Sequence, residues 1–201
     1  MTDRLLKVDY ANMNGLDNET QILFKNLEWG ININSNTMYL TYEIDQDQLY
    51  AVVTRFDNFI HHNKDTDINL IISSYGGDVY AMLGTIDFFN SLPVKVNTHC
   101  LGACMSAAAV ILACGTGKRT MSKNSTVMIH EGSAFEVGKT SDVLKGADHL
   151  KKLQTNINRI LGEVTNKDQE FWEEVSRQDT YLTSEECLEY GIVDEITWLL
   201  H

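Results

Sequence analysis

The chain has 201 residues, 43% of them hydrophobic and 22% charged, with a net charge of -12. That is enough chain for one large domain or two small ones, and ordinary composition for a globular protein. The acidic balance and the lack of a Lys/Arg cluster argue against nucleic acid as a partner, since phosphate backbones require a basic surface.

No apolar run approaches the roughly 20 residues of a membrane span, and the opening Met1-Thr-Asp-Arg-Leu-Leu-Lys7 lacks the apolar core of a signal peptide. The expectation is a cytoplasmic protein with no membrane contact. Cys100, Cys104, Cys114 and Cys187 lie mostly in apolar segments and read as buried thiols. Their spacing contains no C-x2-C pair, so no metal site is expected.

In chain order, residues 1–35 carry scattered polar groups around a small apolar cluster, Ile22 to Phe24 with Leu27 and Trp29, and read as an arm or docking segment. Met38–Tyr42 predicts a strand. Asp45 opens a helix in which Leu49, Val52, Val53, Phe56 and Ile60 recur at helical spacing. Ile68–Ser73 predicts a buried strand leading into Ser74-Tyr-Gly-Gly77, and Val79, Met82, Leu83, Ile86 and Phe89 mark a second helix. Val94–Thr98, after Pro93, predicts a third strand.

Residues 100–115 contain one polar side chain, Ser106. So apolar and small-residue-rich a run predicts a helix packed on all sides, starting soon after Gly102 and stopped by Gly115, with Ser106 in its first turn. Unpaired N–H groups there favour a nucleophile whose attack creates an oxyanion. Taken alone, Ser106 is equally a small residue that lets a core helix pack closely. Gly115-Thr-Gly-Lys118 lacks phosphate-loop spacing and reads as a turn.

Thr126–His130 predicts a strand ending in a histidine. Apolar positions from Val143 to Val164, spaced by three and four, predict a helix of about 25 residues, against a typical 11 to 12. Its length and single apolar stripe suit packing against another subunit. Helices at Asp168–Val175 and Ser184–Tyr190, a C-cap at Gly191 and a closing strand at Ile192–Ile196 complete the reading. Strands alternating with helices predict an α/β fold with crossover connections, whose sites gather at the C-terminal ends of strands.

A serine nucleophile needs a base, a group that orients the base, and oxyanion donors. Of six histidines, His61, His62, His149 and His201 read as solvated and His99 as a strand-end residue. His130 terminates a buried strand and has a route to Ser106, though a hydrogen-bonded strand-end histidine would look the same. Gly76-Gly77 would let a substrate backbone approach closely, or simply turn the chain. Spacing does not single out any carboxylate.

Jointly, the motifs resemble the proteolytic subunit of the Clp protease, the caseinolytic serine peptidase family. Ile72-Ser-Ser-Tyr-Gly-Gly77 resembles I-N-S-P-G-G, and Gly102-Ala-Cys-Met-Ser106 resembles G-x-A-A-S. Gly117-Lys-Arg119 with Asn124-Ser-Thr-Val-Met-Ile-His130 resembles G-K-R followed by P-N-S-R-V-M-I-H. Asp179-Thr-Tyr-Leu-Thr-Ser-Glu-Glu-Cys-Leu-Glu-Tyr-Gly-Ile-Val-Asp194 resembles D-R-F-L-S-A-x-E-A-x-E-Y-G-L-V-D.

The resemblance implies Ser106 as nucleophile, His130 as general base, Asp179 as orienting acid, and the N–H groups of Gly77 and Ala107 as oxyanion hole, with no cofactor and no metal. It implies a Clp-protease/crotonase-like α/β spiral of β-β-α units in one domain. The head would span 36–135 and 178–201, and a long projecting handle helix would lie in 136–177. It further implies a homo-oligomer, a heptameric ring stacked as a tetradecamer, acting on peptides or unfolded proteins fed by a separate AAA+ unfoldase driven by ATP. Tyr75 stands where the family has proline, Ala107 where it has methionine, Glu131-Gly132 for Gln-Pro, and Arg177-Gln178 for an acidic residue and arginine. The rival readings are a catalytically silent ring subunit modulating an active paralogue, an acyl-CoA enzyme of the crotonase fold, and a peptide-binding scaffold.

Overall fold

The computed structural model describes residues 17–133 and 137–197. The first sixteen residues of the expected arm and His201 lie outside the described residues. The arm's remainder forms helix α1 (Asn18–Trp29), capped by Asp17 at one end and by Gly30, in left-handed conformation, at the other, then β1 (Ile31–Asn32).

The centre of the fold is a sheet in the order β1, β2 (Thr37–Leu40), β3 (Ile68–Ser74), β4 (Val96–Met105), β5 (Arg119–Ser122) and β8 (Glu195–Thr197). From β2 to β8 the neighbours on this path are parallel. Two more strands branch off: β6 (Thr126–Ile129) pairs parallel with β4, and β7 (Thr180–Leu182) pairs antiparallel with β6. The architecture is the mixed α/β one that strand–helix alternation predicts.

Helices fill the crossovers. In α2 (Gln46–His62), Val52, Phe56 and Phe59 face the core, and the Asp45 side chain accepts the Gln48 N–H as the cap. Helix α3 (Val79–Ser91) is capped in the same way by Asp78. Phe56 and Phe89 stack across the α2–α3 contact at 5.8 Å, and each such buried ring contributes about 1.5–3 kcal/mol through burial. Helix α4 (Ala107–Ala113) is buried along its whole length, so its small side chains suit a helix surrounded by sheet and helices. The predicted long helix is α5 (Thr140–Val164), 25 residues with Asn158 and Leu161 buried near its C-terminal end. Then come α6 (Gln169–Ser176) and α7 (Ser184–Tyr190), the latter closed by a capping box at Thr183 and by Gly191 in left-handed conformation.

The apolar run at 100–115 departs from expectation in its first half. Cys100 to Met105 are strand, not helix, and the helix begins at Ala107. Strand β4 continues because it has partners on both sides: β3 along one edge, and along the other β5 for Thr98 to Cys100 and then β6 for Ala103 to Met105. The switch of partner occurs around Gly102, whose φ of 85° is left-handed and whose N–H donates to Ser125 Oγ. Backbone pairing overrides the helix-forming composition of this segment. His99 is consequently an interior residue of β4 and buried, not a strand end. The closing strand also starts later than expected, because Ile192 and Val193 enter the core before β8 begins.

Arg119, at the start of β5, joins four parts of the fold. Its Nη1 donates to the carbonyls of Ala113 (3.2 Å), Val164 (2.7 Å) and Gly191 (2.9 Å), which close α4, α5 and α7. Its remaining nitrogens pair with Asp194, whose carboxylate also accepts the Arg119 backbone N–H at 2.8 Å. The carboxyl of Asp194 is held below its ordinary range: partial burial opposes ionisation, and the hydrogen bonds and charge of Arg119 outweigh that.

Among the described residues no helix is long and apolar enough to cross a membrane.

Candidate active site

Strand register brings the candidate residues together. Met105 lies opposite Met128 in the parallel β4–β6 pair, so the residues just past each strand emerge at the same end: Ser106 after β4, His130 after β6. Strand β7 runs the other way, with Thr180 opposite Ile129, so the residue before it, Asp179, reaches that same end. Three adjacent strands thus gather residues separated by 24 and 49 positions in sequence.

Ser106 is not in the first turn of α4 but is the residue before it, with φ 54° and ψ -123°. A non-glycine residue at positive φ is strained by about 1–3 kcal/mol and persists only where its surroundings hold it. Here the Ser106 N–H donates to the Met128 carbonyl at 2.8 Å, and the Ser106 carbonyl accepts the Ala109 N–H at 2.9 Å. The turn lifts the hydroxyl off the strand toward His130, and Ser106 Oγ is 2.8 Å from His130 Nε2. His130 Nδ1 lies 3.4 Å from Asp179 Oδ1. That is longer than the 2.7–2.9 Å or so of a charge-assisted hydrogen bond, and the Asp179 side chain is 63% exposed.

Both glycines past β3 have positive φ and no room for a side chain. A Cβ on Gly76 would stand 2.8 Å from Ser106 Cβ, and one on Gly77 would stand 2.1 Å from the Ile44 carbonyl oxygen. The β3–β4 pairing, Ser74 opposite Cys104, sets this close approach. Ser74 Oγ donates to the Tyr42 carbonyl (2.6 Å) and accepts the Gly76 N–H (3.2 Å). Within the described residues the N–H groups of Gly77 and Ala107 donate no hydrogen bond, so two backbone donors beside Ser106 are free.

A cavity of about 910 Å³ opens beside Ser106 and His130, walled by Met82 of α3, Val110 of α4, and Leu153 and Ile157 of α5. A second, of about 510 Å³, lies past the glycines against Tyr42, Glu43 and Ala103. Tyr75 borders both and is 79% exposed. Among the described residues no cluster of His, Cys, Asp or Glu is built to hold a metal ion.

The structure adds residues that the sequence did not single out. Tyr80 and His149, both lining the large cavity, meet at 2.8 Å, and Gln154 accepts the Gly132 N–H. No local pattern marks them, because each contact joins residues 22 or 69 positions apart. Of the other histidines, His99 binds Thr120 Oγ1 and Ser122 Oγ within the sheet, remote in role from the serine. His61 and His62 end α2.

A family model described as Clp protease matches residues 28–198. The ATP-dependent Clp protease proteolytic subunit 1 of Prochlorococcus marinus (strain MIT 9312) is 37% identical over 133 residues, which is 66% of this chain and 68% of that relative.

Proposed function

Because the chain belongs to the Clp protease family, and is thus a peptidase subunit, we propose that it cleaves peptide bonds with Ser106 as nucleophile, His130 as general base and Asp179 as the group that orients it. The observation that carries this is the 2.8 Å contact between His130 Nε2 and the hydroxyl of Ser106, a residue held at positive φ beside two free N–H donors.

In this reading His130 Nε2 accepts the Ser106 hydroxyl while Nδ1 faces Asp179. Ser106 Oγ attacks the scissile carbonyl carbon as its proton passes to Nε2, and the carbonyl oxygen gains negative charge between the N–H groups of Gly77 and Ala107. Collapse of the tetrahedral intermediate breaks the C–N bond, and the imidazolium returns the proton to the departing amine. Water then enters, His130 removes its proton, and the ester to Ser106 is hydrolysed, restoring the enzyme. The carboxylate of Asp179 stabilises the imidazolium in both halves. An apolar side chain preceding the scissile bond fits the Met82, Val110 and Leu153 surfaces beside Ser106.

The working form is a heptameric ring, single or stacked as a tetradecamer. The exposed apolar residues Val137 and Leu144, at and just before the N-terminal half of α5, suit contact with another subunit. A separate AAA+ unfoldase supplies unfolded chains to it. The proposed organisation is a single domain with 1–35 as N-terminal arm or axial segment, 36–135 and 178–201 as the α/β head, and 136–177 as the handle region.

Hydrolysis of a fluorogenic peptide by the purified protein tests the assignment. Wild type turns the peptide over, and Ser106→Ala and His130→Ala lose at least about 1,000-fold in kcat. Equal residual turnover in all three would overturn it. A silent ring subunit is the second reading, favoured by the 3.4 Å His130–Asp179 separation. It predicts no turnover from an assembled ring.

A further inference from the structure

Helix α5 forms one wall of the large cavity, and two hydrogen-bonded contacts among its lining residues fasten the helix to the rest of the fold. Tyr80, in the first turn of α3, brings its hydroxyl to 2.8 Å from His149 Nε2. The two rings lie 16° from parallel with centroids 6.3 Å apart. Gly132, two residues past His130, donates its N–H to Gln154 Oε1 at 2.9 Å. The Gln154 amide donates in turn to Oδ1 of the buried Asn158, also at 2.9 Å. Where the Clp family has proline, Gly132 supplies a donor, and Gln154 satisfies it.

His149, Leu150, Leu153 and Gln154 sit at i, i+1, i+4 and i+5, a single face of the helix, and that face lines the cavity. The buried residues of α5, Asn158 and Leu161, are both in its C-terminal half. Residues 140–149 are mostly exposed, so that half of the helix leans on the head through few contacts.

We propose that the Tyr80–His149 and Gly132–Gln154 contacts are specificity-determining: by fixing how far α5 stands from the head, they set the width of the apolar pocket beside Ser106 and hence the size of substrate side chain it admits. The inference rests on the serine-peptidase reading. Tyr80, His149 and Gln154 are positioning residues here, acting through the helix backbone and the apolar residues between them.

Three variants test it in the full-length assembled protein. Tyr80→Phe removes the hydroxyl, Gln154→Ala removes the acceptor, and Gln154→Glu keeps an oxygen facing the Gly132 N–H. Peptides with Ala, Leu or Phe before the scissile bond report selectivity, and hydrogen exchange reports the protection of α5. A net hydrogen bond of ordinary strength predicts that Tyr80→Phe and Gln154→Ala each shift the Phe-to-Ala ratio of kcat/KM by about two- to tenfold, mainly through KM. Exchange over residues 143–154 should rise by a similar factor, and Gln154→Glu should recover most of the wild-type ratio. Selectivity at wild-type values in Tyr80→Phe and Gln154→Ala would overturn the inference, whether or not exchange changes. Wild-type Ser106 is labelled with a fluorophosphonate alongside. No labelling overturns the peptidase reading and this inference with it, whereas labelling with unaltered selectivity overturns this inference alone.

Discussion

Replacing Arg119 by alanine removes the donor that closes three helices at once. Its side chain is 16% exposed, so water screens the loss only weakly. Three carbonyls, of Ala113, Val164 and Gly191, lose one nitrogen, and Asp194 loses its cation. Hydrogen bonds to a charged group are each worth about 1.5–3 kcal/mol, but they do not add fully when they share a donor. Removing one partner of a fully buried pair typically costs about 3–5 kcal/mol; water screens Asp194, which is 41% exposed, but the three carbonyls that lose the same guanidinium bring the expected loss to that range. For a chain of this length it corresponds to about 6–20 °C in Tm. Arg119→Lys keeps the charge beside Asp194 but cannot present a planar fork to three carbonyls, so roughly half the loss should remain. Urea unfolding at fixed protomer concentration, followed by circular dichroism, reads both variants against wild type. An Arg119→Ala variant within about 1 kcal/mol of wild type would refute the view that this one guanidinium ties the helix ends together.

Asp179→Asn should reduce kcat by about two orders of magnitude less than Ser106→Ala does, since an orienting acid is the most dispensable member of such a set; equal losses on a fluorogenic peptide would contradict the geometry. Burial of His99 lowers its pKa below the ordinary 6.5. The unfolded chain therefore binds the extra proton first, so this stability is fully present above about pH 6.5 and is lost as pH falls through that value toward the folded pKa. Urea midpoints should decline from pH 7.5 to 5.5 in wild type, and less steeply in His99→Asn. Burial pushes the thiols of Cys114 and Cys187 up to about 12 and raises that of Cys104. With a thiolate fraction of about 10⁻⁴ at pH 8 for the first two, iodoacetamide should leave these cysteines unmodified in the native protein and alkylate them in urea, as intact mass would record.

Periodicity made most of the helices legible. The core face of α2 and the full length of α5 follow from apolar spacing, and the capping residues Asp45 and Gly191 mark ends that the structure keeps. The segment at Cys100–Met105 was not legible, because its small apolar residues suit a buried helix and a buried strand alike. Its pairing with β3 on one edge and with β5 and β6 on the other decides for strand. The same limit governs the site. Ser106 stands out as the one polar side chain in an apolar run and His130 as a histidine at a strand end, but Asp179 has no local signature. Its neighbourhood to His130 follows from the antiparallel β6–β7 register, which spacing does not encode. Tyr80, His149 and Gln154 were invisible for the same reason: their partners come from a different layer of the fold.

The most direct test of the central claim is reaction of the native protein with a fluorophosphonate probe, the modified residue being located by peptide mass spectrometry. The account predicts a single adduct on Ser106, absent in His130→Ala because the hydroxyl then has no base. An intact ring that forms no adduct, or one whose Ser106 is labelled equally in His130→Ala, would contradict it.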